Sequence, residues 1–401
     1  MAHGKATSLV LLPAPPEPPS PESLSAAYRP ALEMALPMTS NKAKPAVLIV
    51  AVSYPSAENF VWGDAQELLA GLYSLIVVLC KEQQIETGMD DGPGSVDARV
   101  VLLDSGTSGT SSSTAFVDLP SLAATHSSWD SVFYPESKAG LQLRDQFLTS
   151  ASQVYEDKVV AVAGGLTLRT GAATETAGAS PTLTTLHKTV CLGGTFDYLH
   201  LGHKLLLTAG ALLLRVPPPS SLDNAQKCEY VIGITGDELL RKKKYAELVQ
   251  SWSTRARAVA DFLATILDLP AAQDPSSNSK IEEKDGELRT LFRNGSVSLL
   301  CVRINDGFGP TIEREDITCL VVSGETRSGG EAVNKKREEQ GWQPLETFVV
   351  DVLNADGMAA VKDRDSKDSK DKPTATESFD AKISSSEIRR RRAERGLMRS
   401  T

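Results

Sequence analysis

The stretch from Thr189 to Lys204, Thr-Val-Cys-Leu-Gly-Gly-Thr-Phe-Asp-Tyr-Leu-His-Leu-Gly-His-Lys, constrains this chain more than any other. A short apolar run enters a double glycine, a polar turn follows, and His-x-Gly-His then opens a second apolar series through Leu205, Leu206, Leu207 and Ala211 to Leu214. That order predicts strand, phosphate-sized turn, helix. Gly193 and Gly194 carry no Cβ, so the backbone can bend sharply and let a ligand approach its N–H groups. The helix behind the turn offers unpaired N–H donors and the positive end of its dipole, which together suit an anion. His200 and His203 flank Gly202 and stand three apart, so both reach one side of that helix start and can donate to phosphate oxygens.

With 401 residues the chain has room for two domains. A net charge of −9 argues against a broad, non-specific grip on nucleic acid and leaves room for a local basic pocket. The five cysteines, Cys80, Cys191, Cys228, Cys301 and Cys319, are scattered and lie mostly in apolar, strand-like runs. They read as reduced core thiols of an intracellular protein. No Cys-x-x-Cys occurs and only His200 and His203 sit close together, so no structural zinc site is expected. No apolar run reaches the roughly eighteen residues of a membrane span. Ser8 to Leu12 is too short for a secretory signal and runs into proline-rich sequence. The expectation is a cytoplasmic protein that binds neither nucleic acid nor membrane.

Residues 1–44 read as a disordered tail, because Pro13-Ala14-Pro15-Pro16-Glu17-Pro18-Pro19 favours an extended, unpacked chain. Residues 45–165 read as a small α/β domain without nameable chemistry. Its strands are expected at Ala46–Val52, Arg99–Leu103 and Val159–Val162, and its helices over Gln66–Gln84 and Ala139–Tyr155. Gly164-Gly165 lacks the His, Lys or Ser/Thr cluster that a phosphate site needs, and Trp62 and Trp129 read as core or as interface anchors. A Thr/Ala/Gly-rich linker covers 166–186.

The second domain is expected over 187–396. Glu229–Thr235 reads as a strand, and Arg241-Lys242-Lys243-Lys244 follows it, where open α/β sheets bind ligands. Thr254–Leu267 reads as an amphipathic helix capped by Ser253 or Thr254. Further strands are expected at Val297–Val302, Thr318–Ser323 and Phe348–Leu353, with mobile polar insertions at 271–287 and 361–382. Near the end, Ile383-Ser384-Ser385-Ser386-Glu387-Ile388-Arg389 places three serines before a helix. Their N–H groups and hydroxyls, with Arg389 one turn on, can join one anion site.

These segments together resemble phosphopantetheine adenylyltransferases of the eukaryotic, fungal-like type, in the H-x-G-H nucleotidyltransferase superfamily. The resemblance covers about half the chain, from His187 to Arg395. It rests on G-G-T-F-D-x-x-H-x-G-H, on G-I-T-G-D-E-L-L-x-K-K-K-Y-A-E-L, on F-G-P-T, on V-V-S-G-E-T-x-x-G-G-x-x-V-N-x-x-R and on I-S-S-S-E-I-R. It implies an α/β fold: a C-terminal doubly wound, parallel-sheet, Rossmann-like nucleotidyltransferase domain, preceded by the smaller α/β domain and the tail. It implies transfer of AMP from ATP to 4′-phosphopantetheine, giving dephospho-coenzyme A and pyrophosphate. No G-x-x-x-x-G-K-S/T occurs, so no dephospho-coenzyme A kinase step is expected. Cytidylyltransferases of the superfamily carry R-T-E-G before their serine segment, which Ile383–Ser386 lacks. A non-catalytic nucleotide-binding scaffold is the alternative from another class.

By that resemblance His203 donates to the α-phosphate and His200 assists at the triphosphate. Thr195 and Lys243 hold the phosphate of phosphopantetheine, with Lys244 as the alternative if the register is one off. Ser385, Ser386 and Arg389 hold the β- and γ-phosphates. Gly193, Gly194, Phe196 and Gly202 shape the substrate turn, and Glu325 and Thr326 lie near the adenosine. Mg²⁺ is expected on ATP oxygens with no protein cage. The N-terminal region is where other enzymes of coenzyme A synthesis could dock.

Overall fold

An apolar run near the start of the chain, Leu9-Val10-Leu11-Leu12, is buried on both faces as the middle strand of a sheet. The computed structural model describes residues 6–40, 44–55, 60–87, 92–105, 113–125, 129–151, 156–166, 183–217, 227–268, 281–351, 353 and 384–400. In chain order, the first sheet and its helices comprise β1 (Ala6–Leu12), α1 (Pro21–Thr39), β2 (Ala46–Tyr54), α2 (Trp62–Glu82), β3 (Val96–Asp104), α3 (Leu119–Thr125), β4 (Ser131–Pro135), α4 (Lys138–Ser150) and β5 (Val159–Val162). The second comprises β6 (Thr189–Gly194), α5 (Leu201–Ala211), β7 (Cys228–Thr235), α6 (Asp237–Leu240), α7 (Trp252–Leu267), β8 (Glu282–Lys284), β9 (Glu287–Phe292), β10 (Val297–Ile304), β11 (Cys319–Ser323), α8 (Arg327–Glu339), β12 (Glu346–Val350) and α9 (Ser385–Ser400).

The first sheet has the order β3-β2-β1-β4-β5 and is parallel throughout. The disordered tail expected over 1–44 is therefore a misreading. Residues 6–12 are its central strand, and 21–39 form a helix that buries Leu24, Tyr28, Ala31, Leu32, Ala35 and Leu36 at helical spacing. Pro21 sits in the first turn, where its missing N–H costs nothing, and Ser20 caps it through the Ser23 N–H. Pro30 and Pro37 lie off the buried stripe, so burial outweighs what the interior prolines cost. Gly165 lies against α1, where a Cβ would stand 2.2 Å from the Ala27 carbonyl, which gives the second glycine of that pair a packing reason.

The second sheet has the order β12-β11-β6-β7-β10-β9-β8. Strands β12 through β10 are parallel, while β9 and β8 are antiparallel. The doubly wound reading holds, with an antiparallel edge it did not include. Part of the expected insertion at 271–287 is this edge: Asp285-Gly286, both at positive φ, turn a two-residue hairpin between β8 and β9. Residues 269–280 and 354–383, which contain the rest of that insertion and the one at 361–382, lie outside the described residues, as do most of the expected linker and residues 1–5.

Residues alternate between the two faces of the second sheet. Cys191, Val231, Leu320 and Val322 face α8 with Val333, whereas Val190, Leu192, Tyr230, Ile232 and Val321 face α5 and α7. The latter face shares one apolar cluster with the whole first sheet. Helix α2 lies between them. By length and composition alone it could cross a membrane, yet it packs on α1 and α5 as a core helix. Its Trp62 indole N–H donates to the Ala209 carbonyl at 2.9 Å, and the ring packs edge-on to Phe348. Gln66 makes two hydrogen bonds with Asp351, one to its carboxylate and one from its backbone N–H. Trp62 is thus both core and anchor between the sheets, and Trp129 is core. All five cysteines are buried and unpaired with one another.

Candidate functional site

Parallel sheets expose the carboxyl ends of their strands at one edge, and ligands settle where strand order reverses. In the second sheet that point lies between β6 and β11, the first and fourth parallel strands in sequence. The Gly193–Gly194 turn ends β6, and Gly324-Glu325-Thr326 forms a short turn after β11. Glu325 and Thr326 therefore sit at the end of the neighbouring strand. The Thr326 hydroxyl is engaged locally in a capping box with Ser323.

The turn itself is tightly wound. Phe196 and Tyr198 both adopt left-handed backbone, at φ 51° and 46°. Such residues cost about 1–3 kcal/mol each and persist only where the surroundings enforce them. Here Asp197, fully buried between them, accepts from the Gln250 N–H at 2.9 Å and from Arg389. The Tyr198 N–H donates to the Gln250 side chain at 2.8 Å, and its hydroxyl to the Leu248 carbonyl at 2.6 Å. Gly194 has no substitute, because a Cβ there would stand 2.8 Å from the Phe196 ring. Phe196, expected to line the substrate turn, is completely buried and instead supports His203, with ring centroids 5.2 Å apart.

His200 is the N-cap of α5 but its side chain makes no cap hydrogen bond, and a helix start without such a cap suits an anion. The His200 and His203 rings stack 3.7 Å apart. Gly202 permits that stack, since a Cβ there would come within 3.3 Å of the His200 ring. Burial, with the neighbouring His200 ring and the ammonium groups of Lys243 and Lys204 adding to it, holds His203 well below the usual imidazole range. His203 is therefore neutral in the resting site and carries one N–H.

The lysine run faces this pair. The Lys243 ammonium donates to the Thr195 hydroxyl at 3.3 Å. Burial and the nearby Arg389 lower its pKa, against the pull of Asp197. Lys244 offers its backbone carbonyl to Arg389 at 3.1 Å, and of the two lysines it is Lys243 whose side chain is bonded to Thr195.

Helix α9, almost two hundred residues further on, closes the site. Ser384 caps it through the Glu387 N–H. The Ser385 hydroxyl donates to the Asp197 carbonyl at 2.8 Å, and Arg392 lies over the Tyr198 ring at 4.4 Å. Arg389 differs from expectation. It is 1% exposed and bonded to Asp197, to the Lys244 carbonyl and to the Ser386 hydroxyl. Its guanidinium fastens α9 to the turn rather than standing open to a ligand.

Three residues of this constellation carry no role in the reading of the sequence: Asp197, which appears there only as part of the glycine-turn string, Gln250 and Arg255. Arg255 is fully buried and donates to the carbonyls of Thr195 (2.7 Å), Gln250 (3.0 Å) and Thr235 (2.9 Å), and to the Asp237 carboxylate. One side chain thus ties the β6 turn, the β7 turn and the start of α7. The available signal was an arginine within the apolar stripe of α7, together with Ser251, the true cap of that helix.

Among the described residues no group of three His, Cys, Asp or Glu side chains could hold a metal. The donors around the turn are cations, hydroxyls and helix N–H groups. That set suits phosphorylated ligands, with any divalent ion held by the ligands' own oxygens.

A family model described as a domain of unknown function (DUF8446) matches residues 1–168. The phosphopantetheine adenylyltransferase of Saccharomyces cerevisiae is 38% identical over 162 residues, 40% of this chain and 40% of that protein. An uncharacterized protein of Schizosaccharomyces pombe is 31% identical over 175 residues, 44% of this chain and 43% of that protein. Each match spans less than half the length of those two relatives. The phosphopantetheine adenylyltransferase of Methanopyrus kandleri is 30% identical over 169 residues, 42% of this chain but 82% of that protein. The chain belongs to the phosphopantetheine adenylyltransferase family. In this member of the phosphopantetheine adenylyltransferase family, every side chain placed at the turn comes from the second sheet and its connections. The first sheet backs the helix that carries the histidines.

Proposed function

We propose that this chain transfers the adenylyl group of ATP to 4′-phosphopantetheine, releasing pyrophosphate and forming dephospho-coenzyme A. The observation that carries the reading is the meeting of Lys243 with Thr195 across the mouth of the glycine turn, beside the stacked His200 and His203. The names of the relatives support the same two substrates.

The nucleophile is a phosphate monoester whose second pKa is about 6, so near neutral pH it is largely dianionic and needs no general base. One of its oxygens forms a bond to the α-phosphorus of ATP as the bond from that phosphorus to the pyrophosphate oxygen breaks. The obstacle is repulsion. Two like unit charges 4 Å apart cost about 1 kcal/mol in water and about 4 kcal/mol at an effective dielectric near 20. Lys243 and Thr195 hold the incoming phosphate in line, and His203 donates its N–H to the α-phosphate as charge builds. His200 and the N-terminal N–H groups of α5 receive the triphosphate. Ser385 and Ser386 hold the departing pyrophosphate on the helix that Arg389 anchors, and Glu325 and Thr326 border the adenosine. Mg²⁺ enters as part of the ATP substrate. Catalysis by this arrangement is positioning and electrostatic stabilisation.

The test is pyrophosphate release from ATP plus 4′-phosphopantetheine, compared with CTP plus choline phosphate. Turnover with the second pair alone would make the protein a cytidylyltransferase, and ATP binding without turnover a scaffold. His203→Ala is expected to lose about 10²–10³-fold in kcat while remaining folded. Lys243→Ala is expected to weaken phosphopantetheine use more than ATP binding; the reverse pattern would reassign the lysine.

A further inference from the structure

The residue after His203 is a lysine that points away from the turn and into the first sheet. Lys204 is 1% exposed, and its ammonium donates to the Asp97 carboxylate at 2.6 Å. Asp97 lies on β3 and is 4% exposed. Its other oxygen accepts from the Arg99 guanidinium at 2.7 Å and 3.1 Å. Arg99 continues into the second sheet, donating to the carboxylate and backbone carbonyl of Asp261 and to the Thr265 hydroxyl on α7. Two cations and two carboxylates thus form one neutral chain, buried at Lys204, Asp97 and Arg99 and reaching the surface at Asp261. It runs from β3 to α5, which carries the histidines, and to α7, which carries Arg255.

A buried ion pair is weak evidence for stability, because desolvation offsets the attraction. Its geometry is more informative. Burial alone would raise the Asp97 pKa, yet Arg99 and Lys204 outweigh burial and hold it far below the usual carboxylate range. Lys204 and His203 are adjacent on the first turn of α5, so the rotation of that turn is shared between them. Fixing the ammonium on one side fixes the imidazole on the other.

We infer that Asp97, in the region matching the domain of unknown function, is a positioning residue for His203. Through Lys204 it sets the rotation of α5 and so the pose of the His200–His203 stack over the phosphate turn. The first sheet thereby acts as the backing of the reactive helix. This rests on the adenylyl-transfer reading for its kinetic consequence and on the geometry alone for its structural one.

The full-length chain is compared with Asp97→Asn, Asp97→Glu and the double variant Asp97→Asn/Lys204→Met, which removes both charges. Asp97→Asn is expected to lose about 10–100-fold in kcat with KM for both substrates nearly unchanged, because a shift of 1 Å at a reacting group costs that much. Asp97→Glu is expected to restore part of the loss. In the charge-free double variant kcat is expected to stay low although the fold is regained. Full recovery of kcat there would overturn the inference, since Asp97 would then serve only to cancel a buried charge. Normal kcat in a folded Asp97→Asn protein would overturn it as well. Titration of the His203 ring protons by NMR needs no turnover. Of the groups facing that ring, His200, Lys243 and Lys204, only Lys204 bonds to Asp97. A shifted titration in Asp97→Asn supports the inference even if the unmodified chain proves inactive with ATP and phosphopantetheine, and an unshifted one defeats it.

Discussion

Glycine at position 202 stands inside a helix, where alanine is ordinarily better by about 1 kcal/mol. The cost of that alanine here would fall on function, because its Cβ would press on the His200 ring. Gly202→Ala is expected to leave the urea midpoint unchanged or higher while activity falls at least tenfold; equal loss of both would mean that the glycine serves the fold instead. His203 gives a second residue-scale expectation. Its folded-state pKa lies below the unfolded value of 6.5, so as pH falls through about 6.5 the unfolded chain takes up the proton first. Stability contributed by the neutral ring is complete above that pH and is lost progressively below it. His187, also lowered by burial against the pull of Glu346, adds to the acid sensitivity of the whole protein. Urea midpoints at pH 7.5 and pH 5 should therefore differ less in a His203→Gln variant than in the unmodified chain.

Between elements, Arg255 is a side chain that no other residue type can replace. It satisfies three carbonyls from separate segments without exposure to water. Lysine carries the charge but not the planar fork, so Arg255→Lys would leave buried acceptors unpaired at about 1–3 kcal/mol each. The expected loss is about 3 kcal/mol by chemical denaturation, with the β6 turn loosened and activity reduced; a change below about 0.5 kcal/mol would deny the residue that role. Much of the site was legible in sequence because its parts are local. The glycine turn, the histidines three apart, the lysine run and the serine-capped helix each announce themselves within a few residues. What joins them is not local. Asp197 and Arg389 are 192 positions apart, and an arginine inside an amphipathic helix looks like any partly buried cation. The same limit explains the N-terminal error. Prolines from 13 to 19 and at 30 and 37 mark an unpacked tail by composition, whereas only the sheet shows that Ser8, Leu9 and Val10 have strand partners on both sides. The Asp285-Gly286 hairpin was a local signal, hidden by the polar residues around it.

At the scale of the whole molecule, one apolar cluster runs from β3 through α2 and α5 to β10. Helix α2 and the Trp62 and Gln66 hydrogen bonds join the sheets through that shared cluster. The chain is therefore expected to unfold in a single cooperative transition, with calorimetric and van't Hoff enthalpies equal; two resolved steps would show that the sheets are independent. The five cysteines offer a way to watch this happen. Burial pushes the thiols of Cys80, Cys191 and Cys228 up to about 12 and raises Cys301 and Cys319 as well. A thiol-reactive dye at pH 8 should leave the intact protein dark and colour only molecules that have opened. Because Cys80 sits on α2 and the other four lie in strands of the second sheet, peptide mapping of the dye would reveal which half of the architecture loosens first.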